Sequence, residues 1–222
     1  MITLFANQIN SVEDKDIHFY LEYVSQEKKE RLRRFVKKED VKRSLLGEIL
    51  LRNIVMQYGI PNNAIDIRLD KNRKPFIPAL NGFYFNISHS NEWVICATGT
   101  RPVGADIEWI RQVDLDTVKY VFSPEEYSTY LKLDESERPD YFFRLWTIKE
   151  SYLKALGVGL NGDLKSITPQ IESGIITTST EETAYFKNYE LDRNYWVTVC
   201  GFEREFDPEI RCVHIQIADF VI

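Results

Sequence analysis

The spacing of apolar residues along this chain passes from a helical period to an alternating one, and then makes the same passage a second time. From Ser25 to Tyr58 the period is helical and breaks near "KKED". Ser25 suits the N-cap of the first segment, where Leu32, Phe35 and Val36 form an apolar side among many cations. The second segment carries Val41, Leu45, Ile49, Arg52 and Met56 at helical spacing and stops at Gly59, with Pro61 close behind. The stretches "FYFNIS", "EWVICATG" and "PVGADIE" are short and rich in β-branched and aromatic residues, which predicts an antiparallel meander. Helices return at Ser123, where "SPEE" has a serine N-cap, proline at the first helical position and glutamate three residues after the cap, a capping box. A helix around Trp146 follows, and after Gly162 "YFKNYEL", "YWVTVCGF" and "IRCVHIQI" read as further strands. Each half therefore offers helix followed by strands, with a join around Arg101 to Gly104, and the fold class is α+β.

Composition bounds what such a fold can do. A chain of 222 residues, 44% hydrophobic and 28% charged, can bury a full core as one large domain or two small lobes. A formal net charge of -6 argues against nonspecific binding to nucleic acid or anionic membrane, which needs a basic field. No apolar run approaches the length of a spanning helix, and the first residues lack a basic segment followed by a long apolar one, so the expected location is the cytoplasm. Cys96, Cys200 and Cys212 show neither metal nor disulfide spacing and are expected to sit reduced within strands.

Two short motifs carry chemistry. In "GADIE", alternation puts Gly104, Asp106 and Glu108 on one face of a strand and Val103, Ala105 and Ile107 on the other. Two carboxylates on one face repel unless a cation or water intervenes; taken alone, the motif also fits a solvated sheet face. On the helix "LWTIKESYLKALGVGL", Phe142, Trp146, Glu150 and Lys154 recur every four residues and line one stripe. An exposed Glu150–Lys154 pair would be ordinary decoration, but a stripe that begins with two aromatics points inward, and charges carried inward require partners. If Glu150 meets the strand of Asp106 and Glu108, three carboxylates form an oxygen-rich site suited to Mg²⁺, with Lys154 beside a phosphate. That combination suggests phosphoryl or pyrophosphate chemistry. Cations for the far end of a diphosphate occur at Lys28, Arg31 and Arg43, with Ser44 beside the last. "KNRKP" adds Lys71, Arg73 and Lys74, and "NISHS" adds Ser88 and His89.

These residues resemble the 4'-phosphopantetheinyl transferases of the surfactin synthetase-activating type. The resemblance rests on "PVGADIE", "FFRLWTIKESYLKALGVGL", "RKPFIPALNGFYFNISHS" and "SQEKKERLRRFVKKEDVKRSLLGEILLR". It implies two similar α/β lobes with pseudo-twofold symmetry, residues 1–103 and 104–222, and an active site in the cleft between them. The implied reaction moves the phosphopantetheine arm of coenzyme A onto a serine of an apo peptidyl or acyl carrier protein, releasing 3',5'-ADP. Carried over, Asp106, Glu108 and Glu150 would hold Mg²⁺ (or Mn²⁺), Glu150 would be the base, and Lys154 would support the leaving phosphate. Lys28, Arg31, Ser44 and His89 match positions that hold the 3'-phosphate, Arg73, Lys74 and Pro75 match a loop along the adenine, and Ser88 and His89 reach towards the phosphates. Ala105 departs from the family's usual branched residue. The resemblance also implies a monomer whose carrier-docking segment runs from Asn161 to Tyr189 and offers Leu164, Lys165, Ile167 and Ile171. Two rival readings use the same residues: a Mg²⁺-dependent phosphohydrolase, and a module whose Lys28–Arg43 helix grips a polyanion.

Overall fold

The computed structural model describes residues 1–159, 162–177, 182–216 and 219–220. In chain order the elements are β1 (Ile2–Gln8), α1 (Ile17–Leu21), α2 (Gln26–Leu32), α3 (Lys38–Met56), β2 (Arg68–Leu69), β3 (Pro75–Phe76), β4 (Tyr84–Ser90), β5 (Trp93–Gly99) and β6 (Val103–Trp109). They continue as α4 (Leu115–Val121), α5 (Pro124–Lys132), α6 (Arg138–Leu156), β7 (Thr168–Gln170), β8 (Ile175–Thr177), β9 (Ala184–Tyr189), β10 (Tyr195–Gly201) and β11 (Phe206–Cys212). One sheet has the order β11-β1-β5-β4, a second β6-β10-β9-β8-β7, and β2-β3 form a small ribbon.

Strand alternation builds the layers. Ile2, Leu4 and Ala6 of β1 and Ile95 and Ala97 of β5 face Val103, Ala105 and Ile107 of β6 and Val197 and Val199 of β10, forming one apolar core shared by both sheets. Alternate residues point outward to the helices. Phe5, Val94 and Cys96 pack with Leu45, Ile49 and Leu50 of α3, whereas Phe186 and Cys200 pack with Phe142, Leu145 and Ile148 of α6. The result is a helix, two sheets back to back, and a helix, with each sheet burying both faces.

Glycine decides how closely each long helix approaches its sheet. A Cβ on Gly47 of α3 would lie 2.9 Å from the Ile87 side chain of β4. One on Gly104 of β6 would lie 2.0 Å from the Ser151 carbonyl oxygen and 2.4 Å from the Ala155 nitrogen of α6, contacts no Cβ tolerates. Local signals mark the helix ends. Ser25 Oγ accepts from Lys28 N at 3.2 Å, the Ser123–Glu126 capping box forms as the sequence predicts, and α6 stops at Gly157, whose φ of 73° is left-handed.

Three expectations are corrected. The strands of "FYFNIS", "EWVICATG" and "PVGADIE" do not form one meander: β4 and β5 pair, but β6 pairs with β10 in the second sheet. The division at residues 103 and 104 is crossed by β11, which returns to pair in parallel with β1 and covers its edge. That last strand also begins before the expected "IRCVHIQI" and ends at Cys212, with Pro208 tolerated because β11 lies at an edge.

Candidate active site

β4 and β6 are edge strands of different sheets, and the seam between them is closed by side chains rather than by a backbone ladder. Alternation sends Asn86, Ser88 and Ser90 of β4 towards β6. Asn86 Oδ1 accepts from Ala105 N at 2.9 Å, Ser88 Oγ donates to Asp106 Oδ1 at 3.0 Å, and Ser90 Oγ accepts from Trp109 N at 3.0 Å and donates to Glu108 Oε2 at 3.3 Å. The polar side chains of one edge thereby satisfy the other and leave room for charge between them.

On the face of β6 bared by Gly104, α6 brings Glu150 and Lys154 over Asp106. Lys154 Nζ donates to Asp106 Oδ1 at 2.5 Å and to Ser88 Oγ at 3.2 Å. Asp106 is 3% exposed and Glu150 6%, and Asp106 Oδ2 and Glu150 Oε1 are buried without a hydrogen-bond partner. Burial, and then the neighbouring Asp106, pushes the Glu150 carboxyl up to about 7, against the pull of Lys154. Burial also raises Asp106, opposed by Lys154, and raises Glu108 with help from Asp106, opposed by Arg111.

The three-carboxylate set expected for a metal is not closed. Among the described residues no three His, Cys, Asp or Glu side chains converge tightly enough to cage a metal. Glu108 Oε2 is taken by Arg111 Nη1 at 3.1 Å and by Ser90, while Lys154 occupies one oxygen of Asp106. The two orphaned oxygens of Asp106 and Glu150 still suit a hard dication, which commonly takes one or two protein carboxylates and completes its shell with phosphate and water. The donor set therefore fits Mg²⁺ without a full protein cage.

A cavity of about 560 Å³ opens between α2, α3, the β2-β3 ribbon and β4, lined by Lys28, Arg31, Arg52, Arg68, Arg73 and Pro75 among others. Lys28 Nζ donates to Ser44 O at 2.7 Å and Ser44 Oγ at 3.1 Å, and burial lowers its pKa to about 8. The structure thus brings Lys28, Arg31 and Ser44 together. His89 is exposed on the opposite side of its strand from Ser88, near Arg43 and Asp40. The Lys74 ammonium does not line this cavity. It donates to Val103 O at 3.2 Å, Lys154 O at 2.8 Å and Ala155 O at 2.8 Å, so its side chain is engaged by β6 and α6.

Lys149, beside Glu150 in sequence, points the other way. It is fully buried and donates to Glu126 Oε2 at 2.5 Å, Val121 O at 3.1 Å and Leu164 O at 2.9 Å, so the capping-box glutamate is also a core ion pair. Trp146 stacks on Phe142 at 5.8 Å. Both rings line a cavity of about 180 Å³ with Glu108 and Arg111. Of the segment expected to dock a carrier, Leu164 and Ile167 are buried in the α6 core and Ile171 packs against it, which leaves Lys165 exposed; Asn161 and residues 178–181 lie outside the described residues. Asn86, Ser90 and Arg111 were not singled out by sequence, although the alternation of "NISHS" already places Asn86 and Ser90 with Ser88 on one face.

Carboxylates and a lysine in the seam between the two sheets, next to a cavity lined by five cations and by Glu27, Glu48 and Asp66, are groups suited to a phosphorylated ligand. Comparison with known proteins gives the family. The model "4'-phosphopantetheinyl transferase, N-terminal" matches residues 11–101, and that of the "4'-phosphopantetheinyl transferase superfamily" matches residues 102–200. The chain is 38% identical over 202 residues to the 4'-phosphopantetheinyl transferase Sfp of Bacillus subtilis (strain 168), covering 89% of this chain and 90% of that one. It is 36% identical over 202 residues to the 4'-phosphopantetheinyl transferase gsp of Aneurinibacillus migulanus, covering 89% and 84%. A holo-(acyl-carrier-protein) synthase from Bacillus anthracis str. Ames, in complex with CoA (3',5'-ADP), is similar at 20% identity and a TM-score of 0.38 over 45% of this chain and 92% of that one. The chain belongs to the 4'-phosphopantetheinyl transferase family.

Proposed function

We propose that the protein transfers the 4'-phosphopantetheine arm of coenzyme A to a serine hydroxyl of an apo peptidyl or acyl carrier domain, working as a monomer in the cytoplasm. The nucleotide end of coenzyme A occupies the cavity lined by Lys28, Arg31, Arg73 and Pro75, with Ser44 holding Lys28 in place. Its pyrophosphate runs into the seam, towards Ser88 and Lys154, with His89 at the rim. The observation that carries this reading is the meeting of Lys154, Ser88 and Asp106 beside two buried, unpartnered carboxylate oxygens.

Asp106 and Glu150, with Glu108 once it leaves Arg111, would hold Mg²⁺ or Mn²⁺. A bound dication supplies charge neutralisation at the pyrophosphate. The carrier serine Oγ forms a bond to the phosphorus that carries pantetheine. The bond from that phosphorus to the bridging oxygen breaks, and the bridging oxygen departs with 3',5'-ADP. Glu150, which carries a buried, unpartnered oxygen into the seam, takes the serine proton. Lys154 stabilises the charge that develops on the departing phosphate. Incubation with coenzyme A, Mg²⁺ and a purified apo carrier should add the mass of the arm to the carrier serine. Release of phosphate or pantetheine phosphate with no modified carrier would establish the phosphohydrolase instead.

A further inference from the structure

The loop from Asp70 to Pro75 faces two ways. Asp70 Oδ1 accepts from Asn72 N and Lys74 N, each at 2.8 Å, while Asp70 N donates to Lys74 O at 2.9 Å and Arg73 N to Asp70 O at 2.9 Å. This tight turn puts Arg73 in the left-handed region at φ 66°. Arg73 and Pro75 line the 560 Å³ cavity, and the residue between them sends its side chain to the last turn of α6.

We infer that Lys74 is a positioning residue that ties the ligand-side loop to the C-terminal turn of α6, so that filling the cavity and fixing Lys154 are coupled. Its three N–H groups match three carbonyls: Val103 O, where β6 begins, Lys154 O, which also accepts from Gly157 N at 3.2 Å, and Ala155 O in the last turn of the helix. A cation there also complements the negative end of the helix dipole. The stem packs against the helix terminator, because a Cβ on Gly157 would lie 3.2 Å from Lys74 Cδ. One of the carbonyls it holds belongs to Lys154, the residue whose ammonium meets Asp106. A ligand that orders the loop therefore also restricts the backbone that aims Lys154, and by linkage the ordered helix end favours the bound loop.

The inference rests on assigning the cavity to the nucleotide, and the test separates the two. The probe is 3',5'-ADP, with its binding followed by calorimetry and the amides of residues 154–158 by hydrogen exchange. In the wild-type protein the ligand should slow exchange of that turn about fivefold. In Lys74→Met it should still bind, but the slowing should vanish. In transfer assays Lys74→Met should lower kcat about tenfold with the KM for coenzyme A within about twofold. Asp70→Ala unties the turn while leaving the amine and the helix intact, and it should lose the slowing too, which keeps the inference testable if Lys74→Met does not fold. Slowing that persists in either variant, or that is absent from the wild type despite binding, overturns the coupling. A raised KM with unchanged kcat in Lys74→Met makes Lys74 a ligand contact and overturns it as well. No binding of 3',5'-ADP to the wild type overturns the cavity assignment and the inference with it.

Discussion

Helices α3 and α6 are each 19 residues long, each lies across one of the sheets, and each buries an acid with a base four residues on. In α3 the pair is closed. Arg52 donates to Glu48 Oε1 through Nε at 3.0 Å and Nη2 at 2.8 Å, Lys28 approaches Oε2 at 3.6 Å, and Arg52 Nη1 reaches Asn62 Oδ1 at 3.2 Å. In α6 the same spacing leads elsewhere: Lys154 turns to Asp106 on the neighbouring strand, and Glu150 keeps an oxygen buried and unpartnered. Spacing thus makes both pairs available, and the strand beneath decides which one stays at home. Where the base has a better acceptor across the seam, the acid is left desolvated and with a raised pKa, ready to take a proton.

Substitutions in the two pairs should part company. Glu150→Gln should lower transfer about a thousandfold, roughly 4 kcal/mol of barrier, with the fold intact by circular dichroism. Near-normal turnover in that variant would remove Glu150 from the chemistry. On the other helix, Arg52→Met should cost about 3 kcal/mol of unfolding free energy, because it leaves Glu48 buried without its main partner. Because Arg52 also lines the cavity, the KM for coenzyme A should rise a few-fold while kcat per folded molecule changes little, and denaturant melts combined with active-fraction assays separate the two effects. A stable Arg52→Met protein would show that the closed pair is not structural.

Much of this contrast was legible beforehand, because the facing of Gly104, Asp106 and Glu108 follows from strand alternation and that of Glu150 and Lys154 from helix period. The capping box at Ser123 and the terminator at Gly157 are likewise local chemistry. What a linear pattern does not encode is which edge meets which. β6 reads as the third strand of a meander because nothing in "PVGADIE" says that its hydrogen bonds go to β10 more than 85 residues later. For the same reason Lys74 reads as a ligand loop, since its three carbonyl acceptors lie on β6 and α6. Lys149 and Glu150 are neighbours in sequence and face opposite ways, one into the core and the other into the seam.

The open acid should also mark itself in the pH dependence of stability. A carboxyl whose folded pKa is raised to about 7 from 4.5 favours the folded state while protonated. Its contribution is fully present below about pH 4.5 and is lost as the pH rises through about 7, on the order of 3 kcal/mol. Asp106 and Glu108, also raised by burial, add to the same slope. Metal-free Glu150→Gln should therefore melt higher than the wild type at pH 8 and converge with it near pH 4.5. Parallel melting curves across that window would mean that the carboxyl is solvated and the seam wet.

The smallest effects should come from the seam that sets the α6 pair apart. Asn86 is buried and its Oδ1 accepts the backbone N–H of buried Ala105, so Asn86→Ala leaves a donor without water or partner and should cost about 1–2 kcal/mol. Ser90 accepts from Trp109, which is 42% exposed, and water can replace the hydroxyl there, so Ser90→Ala should cost less than about 1 kcal/mol. Its effect on function should be the larger relative to stability, because Ser90 also holds Glu108 at 3.3 Å; without it Glu108 answers to Arg111 alone. The checking measurement is the Mg²⁺ concentration needed for half-maximal transfer. It should rise a few-fold in Ser90→Ala and stay unchanged in Asn86→Ala. The reverse order would mean that backbone register, rather than the carboxylate itself, is what the β4 edge controls.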